Sequence, residues 1–134
     1  METLELEVAT PERELVREQV SEVQLPGKGG YMGVLPGHAP LLGLLGTGTL
    51  TYVVVGGGKR SLSIHGGFLE ILEDHVRVLA DCAERAEEID IPRAKAALQR
   101  SQEQSINPAL GVDPAEALAA ILRAEARLAA SELK

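Results

Sequence analysis

Four charged residues in the C-terminal third have types and spacing suited to holding an anion. Asp90 stands just before a predicted helix, and Arg93 lies in its first turn. Arg123 and Arg127 are four apart, so they share one face of a second helix. If the two helices fold back antiparallel, three guanidiniums and one carboxylate converge. Guanidiniums match phosphate oxygens geometrically, and a carboxylate accepts from a base amine or a sugar hydroxyl. The same residues also read as a solvated charged face, compensated by Glu116, Glu125 and Glu132.

Little else in the chain carries chemistry. His38, His65 and His75 are far apart, with no close-spaced nucleus for a metal. Cys82 falls at the end of a predicted strand, where a small buried residue is the ordinary role. Gly27, Gly29, Gly30 and Gly33 lack the strand-to-helix context and the Lys of a nucleotide loop. No catalytic constellation and no metal site are expected. The stretch Gly33–Leu42 is more unusual. Pro36 and Pro40 bar a central strand or a regular helix there, and apolar residues flank the turn. It reads either as a rigid loop with His38 as a polar anchor or as a stiff docking loop at a protein interface.

Two compositionally distinct parts must position these groups. Of the 14 glycines, 13 precede residue 89, whereas half of the sixteen residues 115–130 are Ala. The net charge of -7 resides in the first part, since the second carries six basic and six acidic residues. We place the boundary near Glu88, giving domains 1–88 and 89–134. An acidic chain of 134 residues argues against a nucleic-acid partner. One Cys excludes an intrachain disulfide. No apolar run approaches the roughly 20 residues that cross a bilayer, and no signal-peptide core is visible, so the expectation is a soluble protein of a reducing compartment.

In the first part, Leu4, Leu6 and Val8 alternate with Glu5, Glu7 and Ala9, a half-buried strand ended by Thr10–Pro11. Leu15 to Leu25 suggests two short strands around Glu18 and Gln19. Gly56–Gly58 is a hairpin turn, and Gly66–Gly67 turns the chain into Phe68–Leu72. Short spacing and repeated turns favour an antiparallel sandwich or a flattened barrel. Parallel pairs would need crossover helices, and none is visible before Glu88.

In the second part, Asp90 caps a helix with Pro92 in its first turn and Ala94, Ala97, Leu98 and Ser101 on one narrow face. Asp113 caps the next, with Pro114 first and Glu116 at the capping-box spacing. Leu118, Ile121, Leu122 and Leu128 supply its apolar face and Ala its flanks. Two such helices bury little area alone, so the hairpin depends on the sandwich, a ligand or a partner.

Taken in order, several segments resemble the epsilon subunit of bacterial F-type ATP synthase, equivalent to the mitochondrial delta subunit. They are Val8–Arg13, Gly33–Pro40, Gly66–Glu70, Val76–Asp81 and Ala83–Asp90, with Leu35-Pro36-Gly37-His38-Ala39-Pro40 the most specific. The resemblance covers almost the full length. It implies an N-terminal antiparallel ten-stranded β-sandwich and a C-terminal antiparallel two-helix hairpin. It implies a non-catalytic rotor subunit of the central stalk, peripheral at the cytoplasmic face of the bacterial plasma membrane. Its implied partners are the gamma subunit, the c-ring and, with the hairpin extended, the alpha and beta subunits of the catalytic head. The extended hairpin would resist ATP hydrolysis.

Some members of that family hold ATP in the folded hairpin through an Ile-Asp-x-x-Arg-Ala motif and two arginines. Ile89-Asp90-Ile91-Pro92-Arg93-Ala94 matches the motif, and Arg123 and Arg127 supply the arginines, which implies a regulatory ATP and no required cofactor. At the turn facing the ring, many members carry Gly-Glu-Leu-Gly. This chain has Gly30-Tyr31-Met32-Gly33, so Tyr31 replaces a carboxylate with amphipathic contact area. Tyr31, Pro36, His38 and Pro40 are the expected interface residues. An independent β-sandwich binding module with a helical tail is the competing class.

Overall fold

The computed structural model describes residues 2–133. Six strands precede two helices. The strands are β1 (Leu4–Ala9), β2 (Glu14–Gly27), β3 (Gly30–Val34), β4 (Leu41–Val54), β5 (Lys59–Leu72) and β6 (His75–Arg85). A 3-10 turn at Ala86–Glu88 leads to α1 (Ile91–Ile106), and a second at Pro108–Leu110 leads to α2 (Pro114–Glu132).

The strands run in the order β1-β6-β5-β4-β2, and β1 pairs again with β2. That second pairing closes a five-stranded barrel, with β3 added outside on β2. The expected ten-stranded sandwich is therefore corrected to six strands. The physical reason is that long strands bend where shorter ones would have ended. β2, β4 and β5 each run 14 residues. The ladder of β2 against β4 shifts register at Val20/Glu22 and Gln24/Gly27, and such shifts bend a strand without ending it. The two short strands expected within Leu15–Leu25 are one strand.

Gly66 and Gly67 likewise do not break the chain. They carry φ of 72° and 125° inside β5, and a Cβ on Gly67 would run into the backbone of Leu79 and Ala80. Only glycine lets the strand turn this corner so close to β6. The all-antiparallel expectation also fails at one seam. β1 and β6 are parallel, with Leu6 opposite Val76. No crossover helix is needed, because the four intervening strands are themselves the connection.

The inward alternation is as the sequence suggests. Leu4, Leu6 and Val8 meet Val20, Val23, Leu25, Leu50, Leu62, Ile64, Leu69 and Ile71 in an aliphatic core with Tyr52 at its edge.

Both helix starts follow their caps. The Asp90 carboxylate accepts from the Arg93 amide, and the Asp113 carboxylate accepts from the Ala115 amide. The buried face of α2 differs from expectation. Leu118 and Leu122 are exposed, while Ala117, Ala124, Ala126, Ala130 and Ser131 are buried. The reason lies in the surface beneath. β4 and β5 present Thr49, Thr51, Ser61, Ser63 and His65, all buried, and a small helix face approaches such a surface closely. Thr49 Oγ1 donates to the Ala126 carbonyl at 3.3 Å, and Ser61 Oγ donates to the Ala130 carbonyl at 2.8 Å.

Candidate functional site: an anion cleft at the hairpin base and an apolar barrel face

The turn at Asn107–Asp113 sends α2 back along α1, bringing the end of α2 to the start of α1. A cleft of about 250 Å³ opens there, lined by Asp90, Arg93, Ala94, Ala97, Arg100 and Arg127. Of the five residues singled out from sequence, Asp90, Arg93 and Arg127 meet in it. Ile89 is buried between the 3-10 turn and α1. Arg123 does not line the cleft; its charge acts instead on His65, under α2.

Arg100 is a lining residue that the sequence reading missed. Seven residues from Arg93, it lies two turns along the same helix face, a spacing that was available as a signal. The compensating carboxylate also differs from expectation. Glu84, at the end of β6, accepts from Arg127 Nε at 2.6 Å. Glu116, Glu125 and Glu132 form no ion pair among the described residues.

Chemically, the cleft offers three guanidiniums, of which Arg127 is already held by Glu84, beside one carboxylate engaged as a helix cap. That set suits a polyanion with oxygens spread over several ångströms. Among the described residues, no His, Cys, Asp and Glu cluster could hold a metal ion.

The expected interface residues fall in two places. Tyr31 on β3 is exposed, yet its hydroxyl accepts from the Thr49 amide at 2.9 Å. The ring lies over Gly48, where any Cβ would meet that hydroxyl. Pro36, His38 and Pro40 sit in the β3–β4 connection. Gly37 N–H donates to Asp74 in the β5–β6 turn at 2.7 Å, and His38 Nδ1 donates to the Ala39 carbonyl at 2.7 Å. No hydrogen bond joins Tyr31 to this loop among the described residues.

A larger surface escaped the sequence reading. Leu44, Phe68 and Leu79 stand in cross-strand register on the outside of β4, β5 and β6, and Leu42 lies beside them. Leu42 is 77% exposed and Phe68 61%. They line a depression of about 410 Å³ bounded by Glu70 and Arg77. Contiguous exposed apolar faces of this kind are used for protein or membrane contacts and for ligand grooves. The signal was that Phe68, Leu69, Ile71 and Leu72 put apolar side chains on both faces of β5. At its border, Arg77 Nε donates to Glu7 Oε2 at 3.4 Å, and Arg17 Nη2 lies 3.4 Å from Glu7 Oε1.

Comparisons with known proteins concern the chain as a whole. The profile of the family described as "ATP synthase, Delta/Epsilon chain, beta-sandwich domain" matches residues 3–86. The chain is 79% identical over 133 residues to the ATP synthase epsilon chain of Solibacter usitatus, covering 99% of this chain and 98% of that one. It is 43% identical over 131 residues to the ATP synthase epsilon chain of Moorella thermoacetica, covering 98% of both. Its fold superposes with a TM-score of 0.83, at 27% identity, on a chain in the cryo-EM structure of the Euglena gracilis mitochondrial ATP synthase OSCP/F1/c-ring assembly. That match covers 98% of this chain and 82% of the other.

Proposed function

This chain belongs to the delta/epsilon family of F-type ATP synthase subunits, and we propose that its helical hairpin is a releasable brake on ATP hydrolysis. The chain is a non-catalytic epsilon subunit of the central stalk, coupling c-ring rotation to the F1 head. The barrel carries the coupling contacts: its apolar face around Phe68 takes the gamma subunit, and Tyr31 with the Pro36–Pro40 loop faces the c-ring. The hairpin carries the regulation. Docked, it is off. Extended, it lies against the alpha and beta subunits and obstructs rotation in the hydrolytic direction. No helix among the described residues is long and apolar enough to cross a membrane. The complex would hold this subunit peripherally, at the cytoplasmic face of the bacterial plasma membrane.

One observation carries the brake reading: α2 rests on the barrel through alanines, two hydroxyl bonds and one ion pair. A hydrogen bond of this type contributes about 1 kcal/mol net. Lifting α2 exposes Thr, Ser and Ala rather than leucine, so both states are compatible with water. The cleft of Asp90, Arg93, Arg100 and Arg127 supports a regulatory ATP bound only when the hairpin is folded. Such a ligand would shift the population toward the docked state in proportion to its preference for it. Its phosphates suit the guanidiniums, and the chain's own part would be to bind and to close.

Removing residues 89–134 from the assembled enzyme should raise ATP hydrolysis while proton or sodium pumping remains coupled to it. Unchanged hydrolysis would place inhibition elsewhere.

A further inference from the structure

His65 lies on β5 directly beneath α2 and is 7% exposed. Its Nε2 is 3.3 Å from Ser63 Oγ, and its Nδ1 is buried with no hydrogen-bond partner among the described residues. Charges reach it from two elements. α2 supplies Arg127 and Arg123, and β6 supplies Glu84, which is held by Arg127. Its ladder neighbours are Thr47 on β4 and Cys82 on β6. The imidazole is thus covered by the same helix that brings two guanidiniums toward it. An imidazolium there would be both poorly hydrated and repelled.

We propose that His65 makes hairpin docking pH-sensitive: protonation of its imidazole and seating of α2 exclude one another, so acid releases the hairpin. This rests on the hairpin being releasable, as argued above.

The direction follows from linkage. In the docked state, burial first and the Arg127 charge second hold His65 at about 4, below its ordinary 6.5, with Glu84 opposing. Release restores water and removes both arginines, so the released state takes up a proton more readily. Docking is strongest above 6.5, weakens as pH falls from 6.5 toward 4, and then levels off. Between pH 7.5 and 5 the docking equilibrium constant should fall roughly 30-fold. Acid would therefore favour the braking form.

The test uses the full chain with Cys82→Ser and a donor–acceptor pair placed on exposed Gln24→Cys and Ala129→Cys. Distance distributions are recorded from pH 7.5 to 5, with and without His65→Gln, which stays neutral and can still donate to Ser63. In parallel, the His65 ring resonances of the otherwise unaltered chain are titrated by NMR. We expect an acid-driven increase in the long-distance population that His65→Gln abolishes, and a docked-state imidazole that titrates well below 6. The same pH response in His65→Gln overturns the proposal but leaves the releasable hairpin intact. So does a docked-state imidazole titrating at its ordinary value. A hairpin that remains docked at every pH in both proteins, with His65 still titrating low, overturns the releasable hairpin as well.

Discussion

Arg127 Nε and Glu84 Oε1 stand 2.6 Å apart, and through them the last turns of α2 are tied to the end of β6. Because Arg127 also lines the cleft at the hairpin base, the docking contact and the proposed ligand site share this side chain. Arg100 lines the same cleft with no carboxylate partner among the described residues, which makes the two arginines separable.

Arg100→Ala should weaken ATP binding by about tenfold or more, because a charge-assisted hydrogen bond contributes roughly 1.5–3 kcal/mol and each 1.4 kcal/mol is tenfold. It should leave docking without ATP unchanged. Arg127→Ala should weaken both. Calorimetry with ATP and the donor–acceptor distance without ATP read the two effects separately. Equal loss of docking in both variants would refute the division of labour.

Phe68→Ala should reduce gamma binding by roughly 30-fold, about the 2 kcal/mol of an aromatic anchor at the centre of an interface. Its ring is exposed, so thermal stability should hardly move. Titration of purified gamma against both proteins checks this, and undiminished affinity would locate the contact away from β4–β6.

Glu88, at the end of the 3-10 turn before α1, ties that turn to Arg13 just ahead of β2. Its carboxylate takes both terminal nitrogens of Arg13, at 2.8 and 2.9 Å, and the Arg85 amide at 3.1 Å. The Arg13 hydrogen bonds hold Glu88 below its ordinary 4.5. A carboxyl lowered in the folded state stabilises above its ordinary value and ceases to do so as pH falls through the lowered one. The stability difference between wild type and Glu88→Gln should therefore be flat near neutrality and close as pH drops below 4.5. Denaturant melts at several pH values measure it; a gap that persists in strong acid would assign it to packing.

Gly67→Ala should destabilise the barrel by about 3 kcal/mol, combining a left-handed backbone with a methyl driven into Leu79's carbonyl. For a chain of this size that lowers the melting temperature by about 10 °C. A melt within two or three degrees of wild type would mean that the corner relaxes.

Local signals were legible and distant ones were not. The inward set Leu4, Leu6 and Val8 follows from alternation, and Asp90 and Asp113 announce their helices through side-chain chemistry within three residues. Convergence of Asp90, Arg93 and Arg127 followed from one assumption, that a short connection folds two helices antiparallel. The buried face of α2 was misread because leucine dominates any hydropathy pattern, while the surface that selects alanine is built from Thr49, Ser61 and Ser63 of other elements. Strand number failed for a related reason: glycine pairs look like chain reversals, and only the closeness of Leu79 reveals that Gly66–Gly67 bends a continuing strand. Glu84's role depends on where β6 ends relative to α2, which no spacing encodes.

The parallel seam between β1 and β6 has a kinetic consequence. β1 and β6 are separated by some seventy residues, so completion of the barrel waits for the most distant pairing in the ladder. The helices form from local contacts on a much faster timescale, but their platform on β4 and β5 exists only after closure. Refolding should therefore be biphasic. Early helical signal would appear without protection of Ser61 and Ser63 amides, and a slower step would order the β ladder and α2 upon it.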